Sequence, residues 1–567
     1  MTMNRPCQPA DKWSLQTLGT VLFLLLSAYF LIFHSLGQRA LAGSEDRWGE
    51  IARNMLLHGD LFHPVINGEV YFDKPLLSYW LIVLASLCAN DLNEFVVRLP
   101  GAVAALLTLF CSHRIARDLF GARVAWLSAC LIATSYGFLF WSHTASAELS
   151  NLALIAAATA WFVHRRDRAD FSSYLIFYLL CAVGCQLKGL TAITVPLLVV
   201  APYVLRGGRW KQHVNVAHLL AIVLAAGVFL LPYLLAGWQP LPAAVQAQRN
   251  HLSGLDLLIR ENIVRFFQPF DHDDPFYSYL YELPRILFPW MFLFFAALAR
   301  YASRYRQLDE SLRWLLQAIV LIFLFFTLSG SRRWYYILPI TPFCMILVAA
   351  YMDEASSDAW RRRAMIATVF VLLVIALVLL LFPFAVAVYA GDVAMPNEFL
   401  IGSAAIGVGG AGIALLGRNR VAILQNLTCI DSRFPSPLSL ALLLAALEMA
   451  VVFGLVLPGA DSYRQQKPFA LSLAGQIGDD RRLAFYRKKN TTLAFYLNAK
   501  EAIPTINSRS ELVAIGDEVV LILEEADREA FFQEFPELRT MPPVLKERPT
   551  RQRFAGGGSG LVAYRAR

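Results

Sequence analysis

The chain has 567 residues, is 57% hydrophobic and 16% charged, and carries a formal net charge of +8 at pH 7. Its mean hydropathy is +0.51. A soluble domain carries about 25% charge, so that class is excluded. No basic stripe or aromatic reading motif accompanies the net charge, which argues against a nucleic-acid partner; Lys and Arg instead accumulate in the cytoplasmic loops of membrane proteins.

Along the chain, runs such as 21–33, 365–388 and 438–457 are almost wholly apolar, and a span of about 20 such residues crosses a hydrocarbon core. Spans are expected near 15–36, 99–113, 124–141, 147–163, 173–187, 189–205, 216–236, 283–299, 314–329, 335–351, 364–390, 399–416 and 437–457. The first follows Lys12 and precedes Ala40-Leu41-Ala42, superficially a signal peptide with its cleavage site, but the run is long and is read as a retained helix. Segment 76–88 is too short to span and is expected in the interface, with Tyr79 and Trp80 at headgroup level.

The arginines test this count. Clusters fall at Arg114/Arg117/Arg123, Arg165/Arg166/Arg168, Arg206/Arg209/Lys211, Arg300/Arg304/Arg306, Arg361/Arg362/Arg363 and Arg418/Arg420. With the N-terminus inside, every cluster lands on a cytoplasmic loop, whereas one miscounted span would scatter the later ones. The six cysteines Cys88, Cys111, Cys130, Cys181, Cys185 and Cys344 sit in apolar segments, with Cys7 and Cys429 outside them, so neither a disulfide framework nor a zinc site is expected.

Beyond residue 460 the pattern becomes that of a soluble α/β unit. Strands are expected at 482–487, 518–523 and 560–565, with helices at 508–516 and 525–535 between them. An odd number of spans places this unit outside, in a structural or acceptor-docking role.

The opposite loops gather the residues with chemical potential. Glu45, Asp46 and Glu50 follow the first span; Tyr71, Asp73 and Lys74 lie in YFDKPLLSYW; Arg98 comes next. Glu148 opens the fourth span, Lys188 sits at the turn between the fifth and sixth, Arg265 lies in RENIVRFF, and SRRWYYILP supplies Arg332, Arg333, Tyr335 and Tyr336. Each has a plainer reading. Acids at a helix start favour the positive dipole end, Asp73-Lys74 could be a surface ion pair worth little, and Arg265 and Arg333 could contact headgroups. Glu148 and Lys188 are harder to dismiss, because charges at the edge of an apolar span are costly unless paired or hydrated. Together they offer carboxylates to handle a nucleophile and cations with tyrosines to hold an anion.

An acidic pair in the first outer loop, Y-F-D-K-P-L-L-S-Y-W at 71–80, L-K-G-L at 187–190 and S-G-S-R-R-W-Y-Y-I-L-P at 329–339 resemble the bacterial lipid-A aminoarabinose transferases. The wider group is the polyprenyl-phosphate-dependent, protein-mannosyltransferase-like glycosyltransferases of the C superfamily. The resemblance implies an α-helical polytopic membrane protein of about thirteen transmembrane helices with a cytoplasmic N-terminus and a small C-terminal periplasmic α/β domain. Residues 1–459 would be the transferase domain, with catalytic outer loops at 37–98 and 237–282, and 460–567 the periplasmic domain. It further implies an inverting transfer from a polyprenyl-phosphate sugar, such as an undecaprenyl-phosphate sugar, to lipid A or another envelope glycan or protein, in the bacterial inner membrane. Asp46 would be catalytic with Glu45 beside it, Asp73 and Glu148 would be further functional carboxylates, and a divalent cation near Asp73 stays open. Lys74, Arg265, Tyr71, Tyr336 and Arg333 would hold the lipid phosphate. The chain departs from the family pattern at Glu148, where an Asp is usual, at Leu76, which replaces a second Pro, and at Arg260, where a His is expected. A protein O-mannosyltransferase-type enzyme and a membrane transporter or flippase are the alternatives.

Overall fold

A computed structural model describes residues 28–71, 74–238, 264, 274–354, 358–390, 436–461, 466–478, 482–516, 518–547 and 560–566. The first outer loop forms helix α1 (Glu45–His58), ended by Gly59 at φ +68°, a two-stranded hairpin of β1 (Val65–Ile66) and β2 (Glu69–Val70), and helix α2 (Leu77–Ala89). The bundle follows as α3 (Glu94–Phe120), α4 (Ala122–Ala133), α5 (Tyr136–Ser142), α6 (Glu148–Arg165), α7 (Phe171–Lys188), α8 (Thr191–Leu205) and α9 (Val216–Trp238). After the loop come α10 (Ser278–Leu287), α11 (Met291–Ser303), α12 (Glu310–Leu328), α13 (Thr341–Asp353), α14 (Ala359–Ala390) and α15 (Ser436–Val451). Asn93, Asp170 and Asp309 cap α3, α7 and α12, each side chain accepting from the backbone N–H three residues on.

Seven described helices are long and apolar enough to cross a membrane, or nine if each bent pair is one span. The remaining expected spans are α6, a continuous helix carrying Glu148, Ser150 and Asn151 in its first turn, the short apolar helix Leu338–Asp353, and 15–36 and 399–416, which lie wholly or partly outside the described residues. Segment 76–88 forms the short helix α2, and Tyr79, expected at headgroup level, is instead buried against Trp48.

Two expected spans differ from straight helices. The one near 124–141 is α4 and α5, bent by 64°, and the one near 283–299 is α10 and α11, bent by 116°. Pro289, which has no N–H to continue a helix, sits between the latter two. The breaks satisfy each other: Tyr136 N–H donates to the Phe288 carbonyl at 2.9 Å, and Trp290 Nε1–H to Thr134 Oγ1 at 3.0 Å. This is the condition for interrupting a helix at membrane depth, since lipid offers freed backbone groups no partner. Gly137 permits the approach, because a Cβ there would lie 2.9 Å from the Ile286 Cα.

The core runs through Phe138, Trp290, Phe294 and Phe343, with α13 buried on almost every side. By contrast α9 exposes Val216, Leu219, Val223 and Leu231, an apolar face suited to lipid.

The C-terminal unit holds α16 (Gln466–Ile477), β3 (Arg482–Tyr486), α17 (Thr491–Tyr496), β4 (Thr505–Ile506), α18 (Arg509–Ile515), β5 (Val519–Glu524), α19 (Arg528–Glu534), β6 (Leu545–Lys546) and β7 (Leu561–Ala566). Its mixed sheet has the order β4-β3-β5-β7-β6, with β3 parallel to β4 and β5, and β7 antiparallel to β5 and β6. Parallel neighbours need a crossover, which α17 supplies between β3 and β4. Strand β5 is buried on both faces, as its unbroken apolar run requires.

Candidate active site

The bundle has two chemically distinct ends. At one, the arginine clusters meet acids: Arg123 pairs with Asp353 at 3.0 Å, Arg209 with Glu310 at 2.6 Å, and Arg300 with Asp358 at 3.5 Å. Because α3 runs from Arg98 to Arg114 and Arg117, the carboxylate-bearing loops lie at the other end.

There α1 is held by a buried ion pair. Arg98 donates from Nε and Nη2 to Glu45 at 2.7 and 2.8 Å, and its remaining donors reach the carbonyls of Leu36, Arg39 and Ala40. Glu45 also accepts from Ala145 N–H at 2.9 Å. Burial pushes the Glu45 carboxyl up, but the facing Arg98 guanidinium and these hydrogen bonds outweigh it and hold its pKa below the ordinary glutamate value.

Asp46 is the next residue and is treated differently. It is 8% exposed; Oδ2 accepts from Thr492 Oγ1 at 2.8 Å, and Oδ1 from Arg47 N–H at 2.7 Å. Burial raises its pKa, only partly offset by the Thr492 and Arg47 hydrogen bonds. Glu50, one turn on, is committed to Arg53 at 2.7 and 2.8 Å and to Asn54, so it does not pair with Asp46 in the way their helical spacing allows.

Tyr71 receives a hydrogen bond from Arg47, whose guanidinium carbon lies 5.6 Å from the ring centroid. Lys74 is half-buried three residues before α2. Glu148 and Lys188 form an ion pair across the starts of α6 and the α7–α8 turn. The Lys188 ammonium lies 4.9 Å from the Tyr336 ring centroid and 5.6 Å from that of Tyr335. Arg333 donates to the Tyr335 hydroxyl at 3.4 Å, and its carbonyl accepts from Tyr336 N–H. Beside them Arg285 covers the Trp334 ring at 4.2 Å, and Trp141 meets Tyr335 at 4.5 Å between ring centroids.

The two groups are tied together by Ser78 Oγ–H donating to the Leu187 carbonyl at 2.7 Å and by Ala145 and Ala147 packing with Trp48 and Tyr79. Thus Glu45, Asp46, Tyr71, Lys74, Glu148, Arg333 and Tyr336 occur at one end of the bundle. Asp73 and Arg265 lie outside the described residues, as do Arg260 and most of the 237–282 loop. Among the described residues no three His, Cys, Asp or Glu side chains gather to hold a metal ion. The partners Arg47, Arg285 and Thr492 were not singled out by sequence; Thr492 lies more than 400 residues from Asp46, so no local pattern could find it.

Residues 73–235 match a family model described as dolichyl-phosphate-mannose-protein mannosyltransferase. That segment is similar to the family over less than a third of the chain. The matched segment includes Lys74, Arg98, Glu148 and Lys188, whereas Asp46, Tyr71, Arg333 and Tyr336 lie outside its limits. An undecaprenyl phosphate-alpha-4-amino-4-deoxy-L-arabinose arabinosyl transferase of Aeromonas salmonicida is 31% identical over 373 residues, covering 63% of this chain and 65% of the relative. One of Pseudomonas aeruginosa is 30% identical over 355 residues, covering 61% of this chain and 59% of the relative. The matched part therefore spans slightly less than two thirds of each. The crystal structure of ArnT from Cupriavidus metallidurans bound to undecaprenyl phosphate superposes with a TM-score of 0.72 at 20% identity, covering 96% of this chain and 97% of that one. The fold of the chain, C-terminal unit included, is that of this structure.

Proposed function

We propose that the chain is an inverting glycosyltransferase moving a sugar from a polyprenyl-phosphate donor to an envelope acceptor at the periplasmic face of the inner membrane. The donor it fits best is undecaprenyl phosphate bearing 4-amino-4-deoxy-L-arabinose, the substrate in the names of its relatives, and the acceptor is lipid A. The observation that carries this reading is the gathering, at the end opposite the arginine clusters, of a buried carboxylate, its pKa raised by burial, and a cation–tyrosine set.

Transfer breaks the anomeric C–O bond through an oxocarbenium-like state. The leaving group is already a phosphate anion, so no general acid is required. Lys74 and Lys188, with Tyr336 and Arg333, meet the charge that grows on the departing phosphate, stabilising the transition state more than the ground state; Arg265 is assigned to the same task. Glu148 holds Lys188 in place. Asp46 takes the proton of an acceptor hydroxyl, a role worth about 10²–10⁴ in rate, or, with a phosphate acceptor, orients it and faces the sugar cation. With both oxygens engaged, Glu45 positions α1. One displacement inverts the anomeric centre.

Asp46→Asn and Lys74→Ala are each expected to abolish transfer from the undecaprenyl-phosphate sugar to lipid A in nanodiscs, with membrane insertion unchanged; near-wild-type activity in either removes the site as drawn. A protein O-mannosyltransferase-type reaction has the same donor logic with a Ser or Thr acceptor, and the description of the matching family model favours keeping it as the second reading. Radiolabel appearing in protein rather than in lipid decides for it.

A further inference from the structure

The C-terminal unit does more than sit beside the first outer loop. Tyr496 O–H donates to Glu94 at 2.9 Å and accepts from Leu41 N–H at 2.7 Å, and Lys467 pairs with the same Glu94. Arg53 donates to the Ala499 carbonyl at 2.6 Å. Asn67 and Ile503 exchange two hydrogen bonds, at 2.8 and 2.7 Å, from the β1–β2 turn. Phe495 enters the apolar cluster of Trp48, Tyr79 and Ala147, and packs so closely on α1 that a Cβ at Gly49 would lie 3.0 Å from its ring. At the centre of these contacts Thr492, 6% exposed, aims its hydroxyl at Asp46.

We propose that the C-terminal unit completes the active site, with Thr492 as the positioning residue that fixes the Asp46 carboxylate. This rests on the reading of Asp46 given above. A carboxylate turns about its terminal bond over a broad, two-fold profile. The Thr492 donor from one side and the Arg47 N–H from the other hold both oxygens, so the remaining lone pairs keep one direction toward the acceptor. Such support from a second element is what lets a site be held to within a fraction of an ångström. A hydroxyl that donates to the ionised form also eases its formation. The charged groups felt by Asp46 are Arg47 and Glu45, on its own helix, and α17 contributes the uncharged Thr492.

The purified full-length protein in nanodiscs tests this in two ways. Infrared titration, with the carboxyl band assigned by its loss in Asp46→Asn, needs no substrate: Thr492→Val should move the Asp46 midpoint upward, and Thr492→Ser should restore it. Asn67→Ala, which loosens the same interface away from Asp46, should leave the midpoint where it was. With undecaprenyl-phosphate aminoarabinose and lipid A, Thr492→Val should lower kcat about tenfold, less than the 10²–10⁴ of losing an acid–base group outright, with little change in KM, and should move the acidic limb of the pH profile upward; Thr492→Ser should recover both. A midpoint unmoved by Thr492→Val, or moved equally by Asn67→Ala, overturns the proposal even if Asp46→Asn is inactive. An active Asp46→Asn overturns the catalytic reading of Asp46 and, with it, the positioning role.

Discussion

Glu45 and Asp46 are neighbours with opposite electrostatic fates, and the difference is their partners. Both are buried, and burial alone raises a carboxyl pKa. Glu45 faces a guanidinium and ends below its ordinary value; Asp46 has neutral donors and ends above. Removing one member of a buried pair leaves the other charge stranded, at about 3–5 kcal/mol. Glu45→Gln should therefore lower the melting temperature of the detergent-solubilised protein at neutral pH. The sign with pH follows from linkage. A folded-state pKa below the unfolded value of 4.5 makes this contribution fully present above pH 4.5 and lost as pH falls through the depressed folded value. The stability gap between wild type and Glu45→Gln should close on acidification through that window, as read by thermal denaturation from neutral pH downward. A gap that stays constant would show that Glu45 contributes through packing rather than charge.

At the scale of elements, the bends in α4–α5 and α10–α11 form one joint, since each supplies what the other lacks. Gly137 is where they touch: a Cβ on it would lie 2.8 Å from Ile286 Cγ2 and 2.9 Å from the Ile286 Cα. Gly137→Ala should cost about 1–3 kcal/mol, the usual range for overpacking, measured as a lower unfolding midpoint in detergent. Gly475→Ala, where a Cβ meets nothing within 4 Å, is the matched control. The joint also shows what a hydropathy pattern conveys. The spans near 124–141 and 283–299 are visible as apolar runs, because hydropathy is local. The bends are not, because the partner that makes each break tolerable lies some 150 residues away, as with Thr134 and Trp290. The strands β3, β5 and β7 stood out by their short β-branched and aromatic runs, but their pairing order did not. Among candidate site residues, Glu148 was legible from the cost of a charge at a span edge, and its partner Lys188 by the same reasoning. Asp46 stood out only by company and resemblance.

For the whole molecule, charge distribution predicts the orientation in the membrane. Arginine-rich loops occur at the end bearing the Arg123–Asp353 and Arg209–Glu310 pairs, and the candidate site with the C-terminal unit at the other. Lys and Arg are retained on the cytoplasmic side during insertion, so the proposed function predicts the C-terminal unit in the periplasm. That is also the side on which a lipid-linked sugar could meet an outer-leaflet acceptor. In a cysteine-free background, Lys500→Cys and Arg362→Cys place single exposed thiols at the two ends. With a membrane-impermeant maleimide on intact spheroplasts, Lys500→Cys should label at once and Arg362→Cys only after lysis. The reverse pattern would put the site in the cytoplasm, where an outer-leaflet acceptor cannot reach it. Labelling of both from the same side would mean that α14 and the C-terminal unit are not separated by the bilayer, and the division of the bundle into an arginine end and a site end would fail with it.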